Sequence, residues 1–200
     1  MQKKNGFPLK RLVFDAVFMA VFFALSRLSV TIYGVKLTFD SLAVVICAML
    51  FGPVDAFLVG FLGEFLSQLL GQYGLTATTL LWVLPPALRG LIIGLAVVLL
   101  KKSMSLDTII HKKRPYVYYI VCIVAAVLTS LGNTAAYYVD SKMFGYYNYA
   151  LIFGVLGVRI LSGILSALLT ATAALPILIA LQRANLIPTS RQQETKIKEA

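Results

Sequence analysis

Glu64, Arg89 and Arg159 stand inside long apolar stretches, where a charge is costly and commonly marks a site. At a helical rise of ~1.5 Å per residue, Glu64 falls some ten residues from one end of its stretch, Arg89 about nine and Arg159 about eleven. Those depths predict that all three lie near the middle of the apolar layer. One carboxylate facing two guanidiniums leaves an excess of positive charge, which is unfavourable in such surroundings unless something pairs with it. A ligand carboxylate would do so, because arginine grips carboxylates through two parallel hydrogen bonds. The competing reading is an internal salt-bridge network that only fixes helix order.

Other polar and aromatic side chains fall toward the end of the chain's apolar runs that carries few basic residues. Lys36, Thr38 and Asp40 open the second run. Gln68 lies one helical turn from Glu64 on the same face, and Asn133 and Tyr137 are likewise four apart. Trp82 is near the start of the fourth run. An aromatic wall with a few polar groups is the usual make-up of a small-molecule pocket. Trp82 and Tyr137 also suit an interfacial aromatic belt. A buried Asn133 amide would need partners.

Catalytic chemistry finds little support. There is no phosphate-binding GxxxxGK[ST] loop, no HExxH and no cysteine cluster. The lone His111 sits in a basic loop, so no Ser/His/acid set can be assembled. Cys47 and Cys122 lie in apolar runs, as small buried hydrophobes do. No metal or cofactor is expected, and an enzyme would have to be built on Glu64 or Asp40 alone.

The elements that must position these residues are membrane helices. Of 200 residues, 60% are hydrophobic and 13% charged, with a mean hydropathy of +0.87. A soluble domain carries about a quarter charged residues. Apolar runs at about 9–31, 39–52, 54–71, 80–100, 115–139 and 148–181 predict six transmembrane helices. The second is short, which suggests tilt or an irregular outer end. Thirteen of the eighteen basic residues cluster before the first run, at 101–114 and after the last. An even number of spans separates these segments, so all three can face the cytoplasm. The net charge of +10 therefore needs no nucleic acid. The expected organisation is an all-α integral protein of the cell membrane. It has a cytoplasmic tail at 1–8, a single six-helix substrate-binding bundle at 9–181 and a polar cytoplasmic tail at 182–200. The basic N-terminus followed by an apolar run reads as a retained first helix, because Arg27 rather than a cleavage site follows it.

One feature of the first helix remains. DAVFMAVFFALSR places Ala16, Ala20 and Ala24 four apart, a pattern that lets membrane helices approach closely. It could serve internal packing or a partner, with Asp15 and Arg27 bracketing it at the two membrane faces. With LFGPVDAFLVGFLGEFLSQLL and LPPALRGLIIGL, this AxxxA ladder resembles the substrate-binding S components of energy-coupling factor (ECF) vitamin transporters. The resemblance covers nearly the whole chain. It implies a high-affinity pocket for a water-soluble vitamin near the outer face, with the first interhelical loop as a lid. It also implies that the ladder docks on a transmembrane coupling subunit driven by two separate ATPases. The basic excess points to an anionic vitamin of the pantothenate or folate class, although TTLLWVLPPALRG departs from the folate-type lead into helix four. A neutral or cationic vitamin precursor comes third. The alternative function is an autonomous small-solute carrier or channel.

Overall fold

The computed structural model describes residues 9–32, 35–72, 74–104, 108–109 and 115–183. The expected tails at 1–8 and 184–200, and most of the basic loop at 101–114 with His111, lie outside the described residues. The chain is helical, with one short hairpin added: α1 (Leu9–Arg27), β1 (Ser29–Ile32), β2 (Val35–Thr38), α2 (Ser41–Phe51), α3 (Pro53–Leu69), α4 (Thr79–Leu99), α5 (Lys101–Met104), α6 (Tyr116–Met143), α7 (Tyr149–Ile152) and α8 (Leu156–Arg183). By length and apolarity α4, α6 and α8 can each cross a membrane.

α2 is short because it sits in the middle. Seven of its eleven residues are buried, from Ser41 through Ala48, so it meets protein on nearly all sides. A helix apolar all round belongs in a core. Its irregular outer lead is the hairpin, where β-branched Val30, Thr31, Ile32 and Val35 favour extended backbone. The strands pair antiparallel, with Ser29 opposite Thr38 and Ile32 opposite Val35. Ser166 of α8 donates to the Thr38 carbonyl at 3.1 Å, tying the hairpin to the bundle. At the other end Gly52, with φ +93°, turns the chain, and Pro53 opens α3 where its missing N–H costs nothing.

α3 and α4 pack backbone to backbone. A Cβ on Gly90 would sit 2.3 Å from the Ala56 carbonyl oxygen, and one on Gly94 2.3 Å from the Pro53 Cα. Small residues of this kind give membrane helices their contact area. Gly90→Ala should therefore destabilise by about 3 kcal/mol, because the helices must part. Gly157 in α8 has nothing within 4 Å of an added Cβ, so Gly157→Ala should gain the ordinary ~0.4–1 kcal/mol. Thermal unfolding in detergent separates the two: a fall for the first, none for the second.

α1 is clamped to α3 by polar contacts near both its ends. Arg11 pairs with fully buried Asp55 (Nε to Oδ2, 2.5 Å) and donates to the Phe51 carbonyl at 3.1 Å. Ser26 meets Ser67 at 3.0 Å, and Arg27 donates to the Ser67 and Leu70 carbonyls at 3.2 and 3.0 Å. The last two contacts satisfy carbonyls that the end of α3 leaves open. Asp15, which the sequence suggested as one bracket of the ladder, is turned into the protein. It is 3% exposed, and Asp55 and Arg11 are the charges that act on it. The ladder occupies the opposite side: Ala16, Ala20 and Ala24 are all exposed, beside Val13, Val17 and Val21.

Candidate functional site

Up-and-down helices bring the end of α3, the start of α4, the end of α6 and the start of α8 to one end of the bundle, beside the hairpin and the start of α2. Nearly every candidate residue falls there. All those whose side chains are described, Asp40, Glu64, Gln68, Trp82, Arg89, Asn133, Tyr137 and Arg159, are partly buried, neither sealed in the core nor fully open. Lys36 is in β2, opposite Thr31; its side chain lies outside the described residues.

The structure gathers three of them closely. Trp82 and Tyr137 stand with ring centroids 6.1 Å apart, tilted by 55°, within the range of favourable aromatic pairs. The Arg159 guanidinium lies 4.8 Å from the Tyr137 ring centroid, on a cation–π contact. This corrects the depth expected for Arg159. The sixth apolar run is not one helix: α7 ends at Ile152 and α8 begins at Leu156, so Arg159 sits in the first turn of α8 and not near the midplane. The turn between them came from the local chain around Gly154, and the long hydrophobic run hid it.

Glu64 and Gln68 pair on α3, with Gln68 Nε2 donating to Glu64 Oε1 at 2.7 Å, as their four-residue spacing predicts. Arg89, halfway along α4, donates from Nε to Thr129 Oγ1 at 3.1 Å, and that hydroxyl donates to the Ala125 carbonyl at 2.7 Å. Asp40 is close enough for its charge to act on Arg89. Neither Arg89 nor Arg159 forms an ion pair with a described carboxylate. Asn133, one turn below Tyr137, is partly buried and has no hydrogen-bond partner among the described residues.

Sequence reasoning passed over several contributors. Pro85 and Pro86 lie inside α4 and have no N–H to give, which frees the Leu81 and Trp82 carbonyls as acceptors beside the aromatic pair. The double proline was visible, and its missing donors are the signal. Tyr146 rests on Tyr137 at 6.0 Å between centroids, and Asp140 accepts hydrogen bonds from both Thr78 and Tyr146. These three are joined only by tertiary structure. Partial desolvation of the hydroxyl where it meets Asp140, and then the bond to Asp140 itself, push Tyr146 above the ordinary tyrosine range, so it stays a neutral donor. Lys142 points elsewhere, over the Tyr147 ring at 3.8 Å.

The arrangement can bind and orient a small polar molecule. Among the described residues no group of His, Cys, Asp and Glu could hold a metal ion.

Comparison with known proteins places the chain in a family. A UPF0397 protein of Aliivibrio salmonicida is 31% identical over 81 residues, 40% of this chain and 42% of that protein. One of Lactobacillus gasseri is 35% identical over 100 residues, 48% of this chain and 51% of that protein. The chain spans about half the length of the curated relatives it matches. The profile of the family described as "ECF-type riboflavin transporter, S component" matches residues 6–183, nearly the entire helical bundle, and this chain belongs to that family.

Proposed function

We propose that the protein is the substrate-capturing S component of an ECF-type importer, and that it binds a water-soluble vitamin bearing a planar ring and anionic oxygens. The observation that carries this reading is the two half-buried guanidiniums, Arg89 and Arg159, neither ion-paired with a carboxylate among the described residues, the second of them resting on an aromatic wall. The wall suits a ring, and the guanidiniums suit carboxylate or carbonyl oxygens. A folate-class vitamin meets both demands, whereas pantothenate has no ring to stack. Riboflavin, for which the family is named, is the second reading: its ring fits the wall and its carbonyls can accept from arginine. Uptake would take place through a six-span bundle with both termini in the cytoplasm, docked on a coupling subunit and driven by two separate ATPases. The exposure of Ala16, Ala20 and Ala24 supports a docking face there.

Mass spectrometry of the ligand retained by purified protein tests the reading. Trp82 is the single tryptophan, so its emission reports directly on the wall. Adding the retained vitamin to stripped protein should quench that emission, with saturation at submicromolar concentration. Transport by this chain alone in liposomes would instead favour the autonomous carrier, and the absence of any retained or quenching vitamin would reject the capture role.

A further inference from the structure

The polar contacts above the aromatic wall form a closed circuit. Thr78 immediately precedes α4, and Trp82 follows it by one helical turn. Trp82 meets Tyr137, Tyr137 meets Tyr146, Tyr146 donates to one oxygen of Asp140, and Thr78 donates to the other. Asp140 thus joins two interhelical connections, 70–78 and 144–148, to the outer part of α6. We propose that Asp140 is a positioning residue: it latches Tyr146 against Tyr137 as a gate over the vitamin site and so sets how long a ligand stays. The inference rests on the capture role proposed above.

The physics favours a latch that can open. Each carboxylate oxygen receives one hydroxyl, and charge-assisted bonds of this kind are about twice as strong as neutral ones. The carboxylate also stands at the N-terminus of α4, whose dipole favours negative charge and offsets the opposing dipole at the end of its own helix, α6. Thr78 is buried, at 1% exposure, so that half of the contact is fixed. Tyr146 is 42% exposed, and the residues from Lys142 to Ala150 are exposed throughout. Among the described residues its backbone makes one hydrogen bond, N–H to the Ser141 carbonyl at 3.0 Å, across a turn in which Gly145 has φ +76°. A segment with so few buried contacts opens more readily than the helices beneath it. The hydroxyl of Tyr146 is therefore what decides whether the ring stays down.

The test is a double-mutant cycle on ligand release, followed by Trp82 emission in stopped flow. Tyr146→Phe keeps the ring and removes only the hydroxyl, on an exposed residue, so folding is safe. Tyr146→Phe and Asp140→Ala should each speed dissociation about tenfold with little change in the association rate. Together they should be no faster than Asp140→Ala alone, because both cut the same bond. Unchanged dissociation in Tyr146→Phe, or effects of the two that multiply, would overturn the latch. A second measurement needs no vitamin: acrylamide should quench Trp82 more readily in unliganded Tyr146→Phe than in wild type. If wild-type protein retains no vitamin but that quenching rises, the capture role fails and the latch stands. If quenching is unchanged, the latch fails whatever the protein binds.

Discussion

Ala20→Trp is expected to abolish vitamin uptake by cells carrying the complete importer while leaving vitamin affinity of the purified protein within twofold of wild type. The expectation follows from which side of α1 is already occupied. Phe22 is fully buried, and Asp15 and Ser26 nearly so. Ser26 and Arg27 hold α1 to α3 near one end and Arg11 near the other. The bundle has no further use for the ladder, whose three alanines are exposed with valines 13, 17 and 21 beside them. Against lipid alone, nothing favours alanine over a larger apolar residue. Against another helix it matters, since small residues let backbones approach and packing then supplies the association energy. An indole at Ala20 faces away from the core, so the fold and the vitamin site are spared. It would hold a docking helix off along the whole ladder. Uptake of labelled vitamin, compared with equilibrium binding to the same variant, reads the two effects separately. Normal uptake would assign the ladder to lipid contact.

The parts of this structure that were legible in the sequence are those set by local chemistry. Gly52-Pro53 marks the boundary between α2 and α3, because a glycine at positive φ ends one helix and a proline starts the next. Glu64 and Gln68 pair because four residues make one helical turn. The end of the bundle that gathers the aromatic and polar groups follows from helix parity alone. The parts that were not legible depend on neighbours distant in sequence. Asp15 is buried against charges on α3 and α1, and no spacing on α1 announces it. Arg159 moved to a helix start because the run at 148–181 breaks between Ile152 and Leu156, where apolar residues continue through the break. Asp140 was passed over because an aspartate at the end of a span looks solvated until Thr78 and Tyr146 are brought to it. The hairpin at 29–38 fell within what looked like a helix end and a loop, since four-residue strands leave little periodicity to detect.

Arg89→Ala and Arg159→Ala should each weaken vitamin binding at least tenfold, and the accompanying change in stability tells a binding role from a structural one. A hydrogen bond to a charged group contributes about 1.5–3 kcal/mol, and ~1.4 kcal/mol is a factor of ten in affinity. A guanidinium carries five N–H donors. Among the described residues Arg89 uses one, toward Thr129, and the Arg159 side chain rests only on a ring. Such a charge, half-buried in a bundle of apolar helices, costs the empty protein stability and is recovered only when a ligand arrives. Arg89→Ala should therefore leave the unliganded melting temperature unchanged or raise it, even though Thr129 loses a donor. The rise in melting temperature on adding vitamin should shrink, because that rise follows RT ln(1 + [L]/Kd). An arginine that served only to fix helix order would behave in the opposite way: its removal would lower the unliganded melting temperature and leave affinity alone. Arg89→Lys sharpens the distinction. It keeps the charge and loses the planar fork, so it should recover less than half of the lost binding free energy if the ligand's oxygens are gripped in pairs.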